Sequence, residues 1–295
     1  MVRCGVTGIP ILKIEGITAK TSKQKGWFPP ERFQCPGRDG ITPIYGIIIK
    51  PSNFSKIKAH KCQIVEEIYA GPYDLFTPKS FGEAIQHTTW PRCGYVSVQV
   101  HGMGTNGRSK KFHDVCYKSL TDAGFPDRII WMKEAAKTRP WMDLSRVGIV
   151  GSPEGGVNAA AALLHHTDFY KVAISSSGAH DQTLSNLWWS EQWLGYPADE
   201  AAVENSNTTH AQRLPEKAKL MLIAGGMDHA LNPASVMRFV QELNKYNKTY
   251  ELIFIPDWGH ECGSEPYALM RAEVFLKTNL GSRIGLGTYV STVSI

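Results

Sequence analysis

The chain has 295 residues, of which 42% are hydrophobic and 20% charged, and 32 basic against 27 acidic residues give a net charge of +5. This composition is typical of a soluble globular protein with one large or two ordinary domains, and it excludes disordered, collagen-like and coiled-coil chains. The densest basic stretch, residues 108–111, is predicted to be a solvated loop, so no nucleic-acid partner is expected. No run of about 18 apolar residues predicts a membrane span, and without a convincing signal peptide the location stays open.

The secondary structure is predicted from apolar runs in chain order. Residues 1–43 are rich in Lys, Gly and Pro and are expected to be an N-terminal remnant or linker. Over residues 44–280 strand-like and helical patterns alternate, which predicts an α/β domain with a mostly parallel sheet and helices on both faces. A small, polar tail, 281–295, is expected to be loosely held. The predicted strands are 44–49, 64–69, 95–100, 147–150, 172–174, 220–224 and 250–255, and the predicted helices are 126–137, 158–165, 233–244 and 265–280.

The segment 147–166 carries the most specific chemical pattern. A buried strand, a glycine-rich turn and a helix of small residues are the setting of a nucleophile elbow, Gly-x-Ser-x-Gly, in which a sharp turn exposes the nucleophile. In that frame Gly151 and Gly155 are the flanking glycines, which let strand and helix approach each other. The nucleophile position is then Pro153, which has no hydroxyl group.

Two further residues follow strand ends in the order that this chemistry requires. Asp228 comes after the predicted strand 220–224, and His260 comes after the strand 250–255. An elbow, an Asp and a His in that order predict an acid–base pair beside the turn. Each residue also has a simpler interpretation, Asp228 as a cap of the next helix and His260 as an ordinary loop residue.

Several segments resemble the catalytic domain of the prolyl oligopeptidase family, and most closely its dipeptidyl-peptidase branch. The resemblance covers about residues 26–280 and implies an α/β-hydrolase fold. It also implies that the family's β-propeller is absent from this chain, so that a homo-oligomer or a propeller-like partner would cover bare apolar surface. The segments that carry it are Tyr69-Ala-Gly-Pro72, His101-Gly-Met-Gly-Thr105, Lys111-Phe-His-Asp-Val-Cys116, Arg146-Val-Gly-Ile-Val-Gly151, Trp188-Trp-Ser-Glu-Gln-Trp-Leu-Gly-Tyr-Pro197, Asp228 and Gly259-His260.

The resemblance assigns roles by position. His260 matches the general base, and Asp228 matches the carboxylate that orients it. Tyr69 and the backbone N–H of Glu154 match the two donors of an oxyanion hole. Trp189 matches an aromatic wall of the substrate pocket. Tyr69 and Trp189 are also compatible with ordinary packing.

Pro153 decides the functional prediction. Proline cannot form an acyl intermediate, and its φ near about −65° excludes the positive φ of an elbow nucleophile, so the turn is expected to rearrange. The sequence predicts a serine-peptidase-type domain that is hydrolytically silent or severely impaired, with a peptide or peptide-like ligand if any.

Two alternatives to a silent domain stay open. One is a working peptidase or esterase that cuts after Pro or Ala with a recruited serine such as Ser152. Ser152 is a weak substitute, because side chains alternate at a strand end and it is expected to face the other side. The other alternative is a degenerate gene product, since a one-base change converts a Ser codon to Pro.

No cofactor or metal site is predicted. The six cysteines lie far apart without a Cys-x-x-Cys pattern, and free thiols and disulfides are both possible. His165, His166 and His229 lack partners at metal-ligand spacing. Gly102-Met-Gly104 lacks the rest of a dinucleotide fingerprint. The substrate and the oligomeric state are not predicted.

Overall fold

The computed structural model describes residues 2–3, 10–12, 28–57, 60–75, 77–84 and 87–281. Every predicted strand and helix overlaps an element of the structure. The strands are β1 (Val2–Arg3), β2 (Pro10–Leu12), β3 (Glu31–Pro36), β4 (Pro43–Ile49), β5 (Cys62–Ile68), β6 (Val96–His101), β7 (Met142–Gly151), β8 (Tyr170–Ser176), β9 (Lys219–Gly225) and β10 (Glu251–Ile255). The α-helices are α1 (Phe54–Ile57), α2 (Phe81–Ala84), α3 (Thr89–Arg92), α4 (Lys110–His113), α5 (Phe125–Lys137), α6 (Glu154–His165), α7 (Leu187–Leu194), α8 (Asp199–Glu204), α9 (Asn207–His210), α10 (Ala234–Lys245) and α11 (Pro266–Leu280).

Eight of these strands form one sheet, in the order β10-β9-β8-β7-β5-β6-β4-β3. The strands from β10 to β6 run parallel to one another, and β4 and β3 complete the edge in antiparallel orientation. Parallel neighbours need crossover connections, which the helices supply. The predicted α/β-hydrolase fold with a mostly parallel sheet is confirmed.

The segment predicted as a linker contains one strand of this sheet. β3 pairs with β4 from Glu31 opposite Ile48 to Pro36 opposite Pro43. The prolines before it, its own Pro36 and the glycines that follow predicted a turn rather than a strand, but an edge strand tolerates a proline at its end. The sheet therefore begins at Glu31, ahead of the predicted boundary at residue 43. Apart from Gly281, the predicted tail lies outside the described residues.

Apolar clusters cover both faces of the sheet. On one face Trp131 of α5, Ala160 of α6 and Phe239 of α10 belong to a single buried cluster with strand residues. On the other face Phe275 and Leu276 of α11 belong to a second cluster. The alternation of apolar runs along the chain thus corresponds to a sheet that is buried on both faces.

The described cysteines are buried thiols, namely Cys35, Cys62, Cys93, Cys116 and Cys262. Cys4 lies outside the described residues. Of the two possibilities that the sequence left open, the structure has thiols at these five positions. Among the described helices, none has the length and apolar character needed to cross a membrane.

A buried ion pair joins the sheet to α5. Glu66 Oε1 accepts a hydrogen bond from Arg128 Nη1 at 2.7 Å, and Glu66 Oε2 accepts one from the Tyr170 hydroxyl at 2.6 Å. The side chains of Glu66 and Arg128 are 0% and 2% exposed. Both charges are removed from water, so the attraction between them has to offset the cost of desolvating each one.

Removal of one partner of this pair is expected to be costly. Arg128→Met would leave the Glu66 charge buried and unpaired, and the free energy of unfolding in urea should fall by about 3–5 kcal/mol. Lys110→Met is the matched control, because Lys110 pairs with Asp114 at the surface and exposed pairs contribute little. Equal losses in the two variants would contradict the assigned role of the Arg128–Glu66 pair.

Candidate functional site

The turn between β7 and α6 depends on two glycines. A Cβ atom on Gly151 would lie 2.2 Å from the Gly155 carbonyl oxygen, and a Cβ on Gly155 would lie 2.0 Å from the Ile68 carbonyl oxygen. Both distances are far below van der Waals contact, and the atoms met are backbone atoms that cannot rotate away. The close approach of strand and helix inferred from the sequence is therefore present, and it requires glycine at both positions.

Pro153 directly precedes α6 and has helical backbone angles. Its φ is −72° and its ψ is −47°, and its carbonyl oxygen accepts hydrogen bonds from the N–H groups of Gly156 and Val157 at 3.0 and 3.3 Å. No residue of the turn 151–156 has a positive φ. A strained elbow has a positive φ at its nucleophile. The turn here has none, as the fixed negative φ of a proline requires.

His260 and Asp228 form a hydrogen-bonded pair beyond the ends of β10 and β9. His260 Nδ1 lies 2.9 Å from Asp228 Oδ2, and Asp228 Oδ1 accepts the backbone N–H groups of Ala230 and Leu231, both at 2.9 Å. The Asp228 side chain is 4% exposed and that of His260 is 21% exposed. Because an ionised carboxylate only accepts hydrogen bonds, Nδ1 donates, and Nε2 is the nitrogen left to act as a base.

One pocket of about 230 Å³ brings most of the predicted site residues together. Its walls include Pro153, His260, Tyr69, Glu154 and Trp189. Asp228 lies behind His260 as its hydrogen-bond partner. The remaining lining residues are Tyr73, Ala179, Ser185, Asn186, Trp188, Ala230 and Leu231.

Ser152 lies in a different place. It lines a second cavity of about 430 Å³, which shares Tyr69 with the first pocket but is not lined by His260. Glu67 and His87 are also part of this second wall, and His87 Nδ1 lies 2.8 Å from Glu67 Oε2. Ser152 thus lies on the other side of the strand end, which fits the alternation of side chains along a strand.

The burial of the Glu154 side chain is a feature that the sequence did not predict. Glu154 is 6% exposed, and within the described part of the chain its buried Oε1 has no hydrogen-bond partner. Burial raises the pKa of this carboxyl from 4.5 to about 7. An acidic residue in the first turn of a helix is ordinary in sequence, so no local signal indicates this burial.

Tyr69 keeps its proton over the ordinary pH range. Burial, and then the charge of Glu154, raise the pKa of Tyr69 far above its usual value of 10. The phenol therefore stays an O–H donor at the edge of the pocket, which is the state that a contact with a carbonyl oxygen needs.

Aromatic rings form the outer wall of the pocket. Trp188 and Trp189 both line it, and their ring centroids lie 5.8 Å apart at an interplanar angle of 90°. Trp193 packs behind Trp189, with ring centroids 6.2 Å apart. Trp188 and Tyr73 were not expected in the pocket, and both are largely exposed, at 58% and 66%.

Gly155→Ala is expected to disrupt the turn. The new methyl group would overlap the Ile68 carbonyl, so the free energy of unfolding should fall by about 3 kcal/mol or more. The matched control is Gly259→Ala, where the nearest atom to the new Cβ would be the Met227 carbonyl oxygen at 3.6 Å. Urea titrations of both variants measure the difference, and a tolerated Gly155→Ala would refute the steric argument.

Glu154→Gln is expected to change the pH dependence of stability. A raised pKa means that the native state holds the Glu154 proton more tightly than the unfolded state, so this contribution is full below about pH 4.5 and is lost as pH rises through about 7. Gln does not titrate. The variant should therefore gain stability relative to the wild type, by about 3 kcal/mol between pH 4.5 and pH 8.

Urea unfolding at several pH values measures this gain. Glu216→Gln, at an exposed position, serves as the control and should run parallel to the wild type. If the free energy of unfolding of Glu154→Gln also changes with pH as that of the wild type does, ionisation of Glu154 does not destabilise the native state, and the prediction is wrong.

Known proteins that resemble this chain carry dipeptidyl peptidase names. The chain is 27% identical over 265 residues to dipeptidyl peptidase 8 of both Mus musculus and Homo sapiens, a match that spans 87% of this chain and 29% of each relative. It is 24% identical over 166 residues to inactive dipeptidyl peptidase 10 of Mus musculus, across 56% of this chain and 21% of that protein. The chain thus spans less than a third of the length of these relatives.

A solved structure shares the fold. It is the crystal structure of a Bacteroides ovatus ATCC 8483 protein named as a candidate dipeptidyl aminopeptidase IV, with a TM-score of 0.75, 20% sequence identity, and coverage of 86% of this chain and 36% of that one. The sequence model of the prolyl oligopeptidase family matches residues 83–283, which is more than half of the chain. The resemblance stated from the motifs is thereby confirmed, and the chain belongs to the prolyl oligopeptidase family.

Proposed function

We propose that this chain is a serine-peptidase-type domain of its family in which hydrolysis is lost or severely impaired, because Pro153 stands where the nucleophile is expected. In this proposal the pocket binds a peptide or peptide-like ligand without cleaving it. The roles of His260, Asp228, Tyr69 and Trp189 are those that the resemblance assigned.

The observation that carries the proposal is that Pro153 and His260 line the same pocket. His260 is oriented by Asp228 at 2.9 Å, which is the arrangement of a general base. A base accelerates acyl transfer only by removing a proton from a nucleophile, and the proline ring has no such proton. At this position the His260–Asp228 pair therefore has no nucleophile from which to remove a proton.

In this proposal two donors hold the carbonyl oxygen of a bound peptide. The N–H of Glu154 belongs to the first turn of α6, where backbone donors have no partner within the helix. Tyr69 supplies a protonated hydroxyl at the same pocket. Two donors hold a peptide carbonyl by hydrogen bonds, and without a nucleophile such donors give only a small residual rate.

The relatives are compatible with both an active and an inactive domain. Dipeptidyl peptidase 8 is named for its activity, whereas another relative carries the name inactive dipeptidyl peptidase 10. A silent domain would therefore not be unusual among the proteins that this chain resembles.

The alternative, a working peptidase or esterase that uses Ser152, has one supporting observation. Ser152 shares its cavity with the hydrogen-bonded pair His87 and Glu67, a second carboxylate–histidine pair. Catalysis there would depend on His87 and not on His260. The carboxylate of Glu67 also accepts hydrogen bonds from Ser97 Oγ at 2.6 Å and Gln99 Nε2 at 3.4 Å, contacts that are typical of a structural network.

A fluorophosphonate probe tests the proposal, since it labels only activated serines. We expect no labelling of the wild-type chain and no turnover of chromogenic X-Pro or X-Ala substrates. Pro153→Ser should label, because it returns a hydroxyl to the pocket of His260, and this labelling should disappear in Pro153→Ser/His260→Ala. Pro153→Ala is the matched control, which relieves the ring constraint without a hydroxyl.

Two results would contradict the proposal, and each has its own signature. Wild-type labelling that is lost in His260→Ala would mean that the pocket still holds a nucleophile. Wild-type labelling that is lost in Ser152→Ala and His87→Ala, but kept in His260→Ala, would establish the alternative in the second cavity.

A further inference from the structure

The Glu154 side chain is buried, and one of its carboxyl oxygens lacks a hydrogen-bond partner in the described part of the chain. Its Oε1 has no hydrogen bond within the described part of the chain, and burial is the cause of its raised pKa. A buried polar group without a partner is rare, because it carries the full cost of desolvation. Glu154 also lines the pocket, so a ligand bound there would lie beside this carboxyl group.

The other walls of the pocket favour a cation on an apolar stem. Four aromatic residues, Tyr69, Tyr73, Trp188 and Trp189, line it together with Glu154. Aromatic faces attract an ammonium group and also pack against methylene groups. No Lys or Arg lines the pocket, so no described cation competes for the carboxylate at this site.

The size of the pocket limits the ligand to one short group. Pockets for drug-sized molecules have volumes of about 300–1,000 Å³, and this one has about 230 Å³. A single side chain or a small amine fits that volume, whereas a larger ligand would have to extend out past the exposed ring of Trp188.

We infer that this pocket binds a primary alkylammonium group, such as a lysine side chain, which pairs with the Glu154 carboxylate and packs its stem against Trp188 and Trp189. The ammonium group donates to the carboxylate, and any proton that the carboxyl still holds passes to water. Ser185 and Asn186, which also line the pocket, offer acceptor oxygens for the remaining ammonium hydrogens.

This inference extends the proposed function to a class of ligand and uses the same pocket, but it depends on Glu154 rather than on Pro153. A domain can be silent without selecting cations, and it can select cations while it retains hydrolysis. The two ideas can therefore fail separately.

The test compares two probes with the same five-carbon stem, n-pentylammonium and 1-pentanol. Binding to the full chain is followed by ligand-observed NMR titration at pH 8, above the Glu154 pKa of about 7. We expect the ammonium to bind at least about tenfold more tightly than the alcohol, because charge-assisted hydrogen bonds and cation–π contacts act on it alone.

Three variants locate the effect. Glu154→Gln should weaken n-pentylammonium about tenfold or more and leave 1-pentanol within about twofold. Asp257→Asn removes one negative charge at an exposed neighbour of His260 that does not line the pocket, and it should change neither probe. Trp188→Leu, at a largely exposed position that tolerates substitution, should weaken n-pentylammonium several-fold and shows the aromatic contribution without touching the carboxylate.

The inference is overturned if the wild type binds both probes equally, or if Glu154→Gln binds the ammonium as the wild type does. Near-UV circular dichroism of Glu154→Gln checks that the tryptophan environment is kept. Fluorophosphonate labelling of the same wild-type sample reports on the proposed function independently, since the amine probe does not react with a serine.

Discussion

The steric contact between Gly155 and the carbonyl of Ile68 is the constraint on which the site depends. β5 and β7 are paired in parallel up to Ile68 and Gly151, and α6 crosses directly over that pair. The helix can start there only because position 155 carries no side chain, since a Cβ would lie 2.0 Å from the Ile68 oxygen. This contact fixes where α6 begins, and therefore where Pro153 and Glu154 lie relative to the sheet.

The rest of the site follows from the parallel order of the sheet. The carboxyl ends of parallel strands meet at one edge, and ligands bind there in open α/β sheets. Tyr69 comes directly after β5, and Asp228 and His260 lie in the loops that follow β9 and β10. Residues that are far apart in the chain are brought to one pocket, without any of them needing an unusual local conformation.

This topology explains which parts of the site could be predicted. Strand ends and the residues that follow them are visible in the sequence, so the approach of His260, with Asp228 behind it, to Pro153 was predictable from motif order. The place of Tyr69 in the same pocket was an expectation from the family resemblance. β3 was not predictable, because its one proline and the adjacent prolines and glycines are turn formers, and its pairing with β4 is decided by the free edge of the sheet. The burial of the Glu154 carboxyl was not predictable either, since it depends on how Tyr69 and Gly71 of another loop pack against it.

The state of Glu154 results from two opposing effects at the start of α6. A helix N-terminus favours a negative charge, typically by about 0.3–1 kcal/mol, and would lower the pKa of a carboxyl there. The pKa is instead raised from 4.5 to about 7, which corresponds to about 3 kcal/mol against the charged form. Burial therefore outweighs the helix dipole, and the carboxyl lies close to the point where it gains or loses its proton near neutral pH. In the proposals made above, Pro153 supplies no nucleophile and a bound cation stabilises the Glu154 carboxylate, so that the pocket would hold a ligand rather than cleave it.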